Sequence, residues 1–195
     1  MNLPNKLTML RIILTPIFLA VLYGGFPGAD YAALAIFIIA SLTDMLDGKI
    51  ARKYNLVTDF GKFADPLADK ILVVAAMLWF VECGRMPAWM VMIVITREFA
   101  VSGLRMIASD NGRVIAAGWS GKVKTASTMV CIVVMLALGP QIEAARMQMY
   151  LSSQFPAPRP PILWVDIICG WVITLTTLYS GVEYFLKNKD VIRSA

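Results

Sequence analysis

Six apolar segments, each close to the length of a membrane-spanning helix, dominate this chain of 195 residues. An α-helix crosses the hydrocarbon core of a bilayer in about 20 residues. Only 16% of the residues are charged, against about 25% in soluble domains. We therefore predict an all-α integral membrane protein, with residues 1–195 forming one domain of six transmembrane helices. The predicted spans are residues 7–23, 31–52, 63–81, 87–104, 123–138 and 162–186.

Lys and Arg residues are distributed unequally between the loops that join these segments. If the N-terminus is cytoplasmic, only Arg85, Arg146 and Arg159 fall on the outer side. The positive-inside rule then predicts that both termini face the cytoplasm. A basic cytoplasmic rim that attracts anionic lipid accounts for the net charge of +5, so no nucleic-acid partner is expected. Residues 141–161 are compatible with an interfacial helix and a Pro-rich turn on the outer side, and we assign them no function.

Four aspartates lie within twenty-six residues of this apolar chain, as Asp44-x-x-Asp47 and Asp65-x-x-x-Asp69. On helices, spacings of three and four place the members of each pair on one face. Each carboxylate at bilayer depth costs about 2.5–3.5 kcal/mol on insertion scales, so four of them require bound cations or basic partners. The pattern predicts a carboxylate cage for divalent metal. Oxygen ligands favour hard cations, which makes Mg²⁺ or Mn²⁺ the expected ions.

Each aspartate pair also has a purely structural interpretation when it is taken alone. Asp65, followed by Pro66, fits the N-cap of a helix. Asp44 and Asp47 could cap a helix, snorkel, or pair with Lys49 and Arg52. The complete set, in one order and at fixed spacings, favours the metal site over these interpretations.

The residues that surround the aspartates favour chemistry at phosphorus. Gly48 lies four residues after Asp44, and Gly61 lies four residues before Asp65, so space is kept beside the carboxylates for a ligand or a neighbouring backbone. Arg52 and Lys62 can anchor phosphate oxygens. Two metals with flanking cations are suited to a displacement at phosphorus.

The absence of histidine narrows the chemistry further. A Ser-His or Cys-His nucleophile system is excluded, and a carboxylate is the leading candidate for a general base. Cys83, Cys131 and Cys169 show no metal-ligand or redox spacing, so we expect them to serve in packing.

The aspartates and their neighbours follow the pattern D-x2-D-G-x2-A-R-x8-G-x3-D-x3-D from Asp44 to Asp69 without departure. At these positions the chain resembles the CDP-alcohol phosphotransferase family. The resemblance implies a six-helix membrane enzyme, usually a homodimer, that transfers a phosphatidyl-type group from a CDP-linked donor to an alcohol and releases CMP. It also implies two divalent cations on the first three aspartates, with Asp69 completing the site and acting as the base. The implied CDP-binding residues are Gly48, Ala51, Arg52 and Gly61.

Two further segments concern the acceptor. Glu98, Ser102 and Arg105 are spaced to share one face of the fourth helix, and Arg97 precedes them. The segment from Gly121 to Thr125 contains two more cations near a predicted helix start, where an anionic ligand is favoured. Charge pairing with Glu98 and simple membrane anchoring are the structural alternatives. The expected ligands of an acceptor phosphate are Arg97, Arg105, Lys122 and Lys124.

These segments are similar to those of family members that use sn-glycerol 3-phosphate as the acceptor and CDP-diacylglycerol as the donor. The opening Pro4-Asn5-x-Leu7-Thr8-x-x-Arg11 is similar to the same members, which makes Thr8 and Arg11 further candidates. The resemblance implies a bacterial inner (plasma) membrane and an active site that faces the cytoplasm. Inositol phosphate or phosphatidylglycerol would be the alternative acceptors. A cation-coupled transporter is the alternative from another class, because intramembrane carboxylates also form relays.

Overall fold

The protein is seen in a computed structural model that describes residues 3–54, 59–110, 115, 118–151 and 159–189. For residues 3–6, 44–54, 59–67, 69 and 109–110, the description covers the backbone and not the side chains. Across these ranges the chain forms seven α-helices and one short 3-10 helix, so the all-α prediction is confirmed. The helices are α1 Leu3–Tyr23, α2 Ala29–Tyr54, α3 Asp59–Glu82, α4 Ala88–Asp110, α5 Trp119–Ala137, α6 Gly139–Leu151, the 3-10 helix Pro161–Leu163 and α7 Trp164–Lys187.

The six predicted spans coincide with α1 to α5 and with α7, and α6 is an additional helix. Its 13 residues extend about 20 Å, which is shorter than the hydrocarbon core of about 30 Å. By length and hydropathy, two helices in the described ranges are able to cross a membrane, Trp119–Ala137 and Pro161–Lys187. Shorter apolar stretches occupy Leu7–Tyr23 and Ala29–Thr43. The interfacial helix considered for residues 141–161 corresponds to α6.

The helices form one bundle in which α1 packs against α2 and α3, and α7 packs against α4 and α5. The core contains large, fully buried side chains such as Phe18, Phe37 and Ile132. The centroids of the Phe18 and Phe37 rings are 6.1 Å apart, which ties α1 to α2. Many large apolar side chains face outward, including Ile13, which is 52% exposed. An apolar outer surface of this kind matches a lipid environment.

The end of the bundle where α3 stops and α4 starts is called the α3–α4 end here, and the opposite one is the α2–α3 end. Gly84 closes α3 at a φ of 64°, a conformation that glycine adopts at little cost. The Gly84 N–H donates to the Val81 carbonyl at 3.0 Å, and the Arg85 N–H donates to the Phe80 carbonyl at 2.8 Å. This pair of bonds is a Schellman motif. It reverses the chain just before Arg85, whose side chain is buried.

Arg85 is the centre of an ion-pair network at the α3–α4 end. Its Nε lies 3.0 Å and its Nη2 lies 2.8 Å from the carboxylate oxygens of buried Asp166 on α7. The same Nη2 donates to the Met135 carbonyl of α5 at 2.7 Å. A Cβ built on Gly139 would lie 2.9 Å from Asp30 Oδ1 and 3.3 Å from Arg85 Nη1. The network therefore joins the α3–α4 turn to α5 and α7, with Asp30 of α2 and the start of α6 close by.

Candidate active site at the α2–α3 end

The four aspartates lie at matching depths on two consecutive helices. Asp47 and Asp44 are seven and ten residues before the end of α2, while Asp65 and Asp69 are six and ten residues after the start of α3. At 1.5 Å per residue, all four positions lie roughly 9–15 Å along the helix from the α2–α3 connection. Only residues 55–58 separate the two helices in the sequence, and α1 packs against both of them. The backbone therefore places both acidic pairs at a similar depth of the bundle, which we call the acidic layer.

The helical backbone also rules out one structural interpretation of the aspartates, the one in which Asp65 is a helix N-cap. Because α3 begins at Asp59, Asp65 lies within the helix and is not its N-cap. The side chains of residues 44–54, 59–67 and 69 lie outside the description, so the metal and CDP-binding roles remain predictions. These roles concern Asp44, Asp47, Gly48, Ala51, Arg52, Gly61, Lys62, Asp65 and Asp69. The side chains that are described contain no group of three or more potential metal ligands.

Three cations converge on Glu98 of α4. Lys124 Nζ lies 2.6 Å from Glu98 Oε1, and Arg97 Nη1 lies 2.9 Å from the same oxygen. Lys70 Nζ lies 3.9 Å from Glu98 Oε2 and donates to the Glu98 carbonyl at 3.2 Å. We refer to Lys70, Arg97, Glu98 and Lys124 as the Glu98 cluster. It joins α3, α4 and α5.

Lys70 is the member of this cluster that the sequence analysis missed. It directly follows Asp69, so the Glu98 cluster adjoins the acidic layer through one peptide bond. Its ammonium group also contacts Ser102 Oγ. The signal was present in the sequence, because a lysine inside an apolar segment is rare without a function or a partner.

Arg97 is held in place by small residues on two other helices. Its Nη2 donates to Ser180 Oγ of α7 at 2.6 Å. A Cβ built on Gly181 would lie 3.2 Å from Arg97 Cγ, and one built on Gly121 would lie 3.7 Å from Arg97 Nη2. A side chain at Gly181 would crowd the aliphatic part of Arg97, whereas the distance at Gly121 is an ordinary van der Waals contact. Ser180 was not among the sequence candidates, since a serine in an apolar helix carries little signal by itself.

The remaining candidates occupy different positions around the cluster. Arg105 is two turns further along α4, where its Nε contacts Tyr184 OH at 3.3 Å and its guanidinium lies over the Tyr184 ring. Lys122 is exposed on the first turn of α5. Thr8 and Arg11 are almost fully buried on α1, the helix that packs against both α2 and α3. The structure thus brings Arg97 and Lys124 together, and it places Arg105 on the adjacent α4–α7 seam.

The Glu98 cluster brings several cations to one carboxylate. Its described side chains include three cations and one carboxylate, and Lys124 is only 6% exposed. Charge pairing between Arg97 and Glu98, one structural alternative from the sequence, does occur. Guanidinium and ammonium groups also bind phosphate oxygens, so a phosphate-bearing ligand is compatible with the cluster.

An all-α bundle with an apolar outer surface is typical of a membrane protein. The chain matches the CDP-alcohol phosphatidyltransferase family over residues 1–178. It belongs to this family.

Relatives similar to the chain come from diverse bacteria. A protein of Bacillus subtilis (strain 168), described as CDP-diacylglycerol–glycerol-3-phosphate 3-phosphatidyltransferase, is 41% identical and spans 100% of this chain and 98% of its own length. One of Rickettsia bellii (strain RML369-C) with the same description is 33% identical over 96% of both chains. One of Escherichia coli (strain K12), again so described, is 40% identical over 67% of this chain and 74% of its own.

Proposed function

We propose that this protein is a CDP-diacylglycerol–glycerol-3-phosphate 3-phosphatidyltransferase. It transfers the phosphatidyl group of CDP-diacylglycerol to sn-glycerol 3-phosphate and releases CMP. The family assignment and the descriptions of the relatives support the reaction. The observation that carries the choice of acceptor is the convergence of Lys70, Arg97 and Lys124 on Glu98. A neutral alcohol needs no such group of cations, whereas an acceptor with its own phosphate can bind to them.

The acidic layer fits two divalent cations, Mg²⁺ or Mn²⁺, because its four carboxylates are hard oxygen donors. Bound metal would neutralise the diphosphate and stabilise the departing phosphate. The ligands proposed are Asp44, Asp47, Asp65 and Asp69. The cytidine diphosphate group would lie against Gly48, Ala51, Arg52 and Gly61, with Lys62 near its phosphates.

The acceptor phosphate binds to cations of the Glu98 cluster and its surroundings, with Lys70 added to the set. Asp69 takes the proton of the C1 hydroxyl as that oxygen attacks the β-phosphorus of CDP-diacylglycerol. The bond between this phosphorus and the CMP oxygen breaks, and CMP leaves. Since Lys70 follows Asp69 directly, the base and an acceptor-binding cation belong to the same turn of α3. The other proposed acceptor ligands are Arg97, Arg105, Lys122 and Lys124, with Thr8 and Arg11 as supporting residues.

In the membrane, α1 to α5 and α7 would form the six spans, with both termini and the α2–α3 end on the cytoplasmic side. The α6 helix would then lie at the outer surface of the bacterial inner membrane. A homodimer is proposed from the family resemblance, and light scattering of the detergent-solubilised protein tests it.

The activity is tested by measuring CMP release from CDP-diacylglycerol by the purified protein with Mg²⁺ or Mn²⁺. The acceptors are sn-glycerol 3-phosphate, inositol phosphate, serine and phosphatidylglycerol, each offered alone. We expect release with sn-glycerol 3-phosphate only. Asp69→Asn should lower the rate by at least about 10²-fold, the lower contribution typical of a general base. Glu143→Gln, which alters an exposed carboxylate on α6, is the matched control and should retain full activity.

A further variant, Asp44→Asn, separates the roles of the aspartates when it is compared with Asp69→Asn. Asp44→Asn should weaken metal binding, measured by calorimetry, more strongly than Asp69→Asn does. Equal loss of metal binding in both variants would contradict the assignment of Asp69 as the base. Release with a different acceptor would overturn the role given to the Glu98 cluster while keeping the family mechanism.

A further inference from the structure

A second candidate site lies at the α3–α4 end, on the far side of the bundle from the proposed active site. It is a cavity of about 460 Å³ between the α3–α4 turn, α6 and the start of α7. Ligand-binding cavities commonly measure about 300–1,000 Å³. The lining combines apolar side chains with arginines. Its apolar members include Met86, Met149, Leu163, Trp164 and Ile167.

All three arginines that charge distribution assigns to the outer side contribute to this one cavity. They are Arg85, Arg146 and Arg159, and they come from the α3–α4 turn, from α6 and from the segment before α7. Arginine is infrequent on the outer side of membrane proteins. Three that converge on one cavity from distant parts of the sequence therefore indicate a common use.

The three arginines differ in how far their charge is already neutralised. Arg85 is fully engaged with Asp166 and the Met135 carbonyl. Arg146 donates to the carbonyls of Cys83 at 2.8 Å and Gly84 at 3.0 Å. Its contact with Asp166 is longer, at 3.7 Å, and its side chain remains 36% exposed.

The cavity therefore keeps donors for a further ligand. A guanidinium has five N–H donors, and the two carbonyl bonds of Arg146 use two of them. Arg159 is exposed at the rim. Among the charged lining residues there are three arginines and one carboxylate, Asp166.

We propose that this cavity binds the phosphate of an anionic phospholipid from the outer leaflet. Arg146 and Arg159 would bind the phosphate oxygens, for which planar guanidinium groups are well suited. Met149, Leu163 and Ile167 would contact the glycerol and the upper acyl chains. Trp164, which is 52% exposed, is of the residue type enriched at the membrane interface. The leaflet follows from the orientation proposed above, whereas the binding itself does not depend on the proposed reaction.

The arginines alone could also bind free inorganic phosphate. The apolar side chains of the lining favour a lipid phosphate over the free ion. The two sources are distinguished by native mass spectrometry of the detergent-solubilised protein. The protein is titrated with phosphatidylglycerol, with phosphatidylcholine or with inorganic phosphate. Saturating CMP, which has no acyl chains, is present throughout to occupy the nucleotide part of the proposed donor site.

The variants are Arg159→Gln and Arg146→Gln, with Lys189→Gln as the control for an exposed cation near the opposite end. We expect phosphatidylglycerol to bind in preference to phosphatidylcholine. Its affinity should fall about tenfold in Arg159→Gln, the effect of losing one charge-assisted hydrogen bond. Lys189→Gln should bind as the unaltered protein does. Because Arg159 is exposed, this variant keeps the proposal testable even if Arg146→Gln fails to fold.

Equal binding of the two lipids, or unchanged phosphatidylglycerol binding in Arg159→Gln, would overturn the proposal. Displacement of the lipid by millimolar inorganic phosphate would also overturn it, in favour of a free-phosphate site. CMP release at saturating substrate should be the same in Arg159→Gln and in the unaltered protein. A protein without CMP release that still shows arginine-dependent lipid binding would refute the proposed reaction and leave the cavity assignment intact.

Discussion

Two ion-pair clusters in the described part of the bundle lie at opposite ends and differ in how their charges are paired. At one end, Arg85 and Asp166 form a balanced, bidentate pair in which both side chains are buried. At the other end, three cations of the Glu98 cluster contact one carboxylate. The first arrangement is one cation to one carboxylate, whereas the second offers several cations at one place.

This difference indicates how structural and functional charges can be told apart in a membrane bundle. A balanced pair with bidentate geometry leaves no donor in excess, and breaking it leaves a buried charge without compensation. A cluster of several cations can in addition bind an anionic ligand. Mutations should therefore affect stability at Arg85 and substrate affinity at Glu98.

The largest effect is expected at the balanced cluster. Replacing Arg85 by Met leaves the buried Asp166 carboxylate without its bidentate partner, which should lower the free energy of unfolding by about 3–5 kcal/mol. The loss is measured by denaturant or thermal unfolding in detergent. The KM for the acceptor in the folded fraction should not change, because Arg85 lies at the opposite end from the proposed active site.

The double variant Arg85→Met with Asp166→Leu is the control for this prediction. It removes both charges and should recover part of the lost stability. If the double variant is no more stable than Arg85→Met alone, then the apolar packing of Arg85 on the Phe80 ring, and not charge balance, is the main contribution.

A smaller effect, and one of a different kind, is expected at the Glu98 cluster. Lys124→Met removes one cation, while Glu98 retains Arg97 and Lys70 as partners. The KM for sn-glycerol 3-phosphate should rise about tenfold, which corresponds to about 1.4 kcal/mol. The KM for CDP-diacylglycerol and the free energy of unfolding should change little. Steady-state kinetics of CMP release measures both constants.

Lys189→Met, an exposed cation outside both clusters, is the control for the kinetic measurement. An unchanged acceptor KM together with a large drop in stability for Lys124→Met would mean that the Glu98 cluster is structural, like its counterpart.

The smallest effect concerns a glycine that makes room for the balanced cluster. Gly139→Ala would place a Cβ 2.9 Å from Asp30 Oδ1 and 3.2 Å from Asp30 Cγ. The carboxylate would have to move away from Arg85, and we expect a loss of about 1 kcal/mol in unfolding free energy, typical of a single destabilising substitution. Thermal unfolding in detergent measures it.

Gly103→Ala is the matched control, because Gly103 lies in α4 and a Cβ there meets no heavy atom within 4 Å. Alanine has the higher helix propensity, so this variant should be slightly more stable than the unaltered protein. Equal destabilisation by both substitutions would show that close packing around Asp30 is not the cause.

Much of the fold could be predicted from short continuous segments of the sequence. The six apolar segments anticipated α1 to α5 and α7 to within a few residues at most ends, because hydrophobic runs of this length are stable as helices. The larger differences arise where polar residues continue a helix. Thus α3 starts at Asp59 and α4 continues to Asp110, beyond the apolar stretches, since backbone hydrogen bonding does not end where hydrophobicity does.

The candidate site was predictable in part. Arg97 and Lys124 were named from the sequence, and both contact Glu98. Lys70 and Ser180 were missed, because each is a single polar residue in an apolar helix whose partner lies on another helix. Arg85 was assigned only to the outer loop, and nothing in its local sequence indicated a buried pair with Asp166, 81 residues away.

The sequence by itself determined the helical segments, the acidic signature and the family, because hydrophobic length and residue spacing are properties of a continuous stretch of chain. Only the tertiary structure decided which charges meet. Lys70, Glu98 and Lys124 belong to three different helices, and their contacts depend on how those helices pack. Which charges are paired at each end of the bundle follows from that packing.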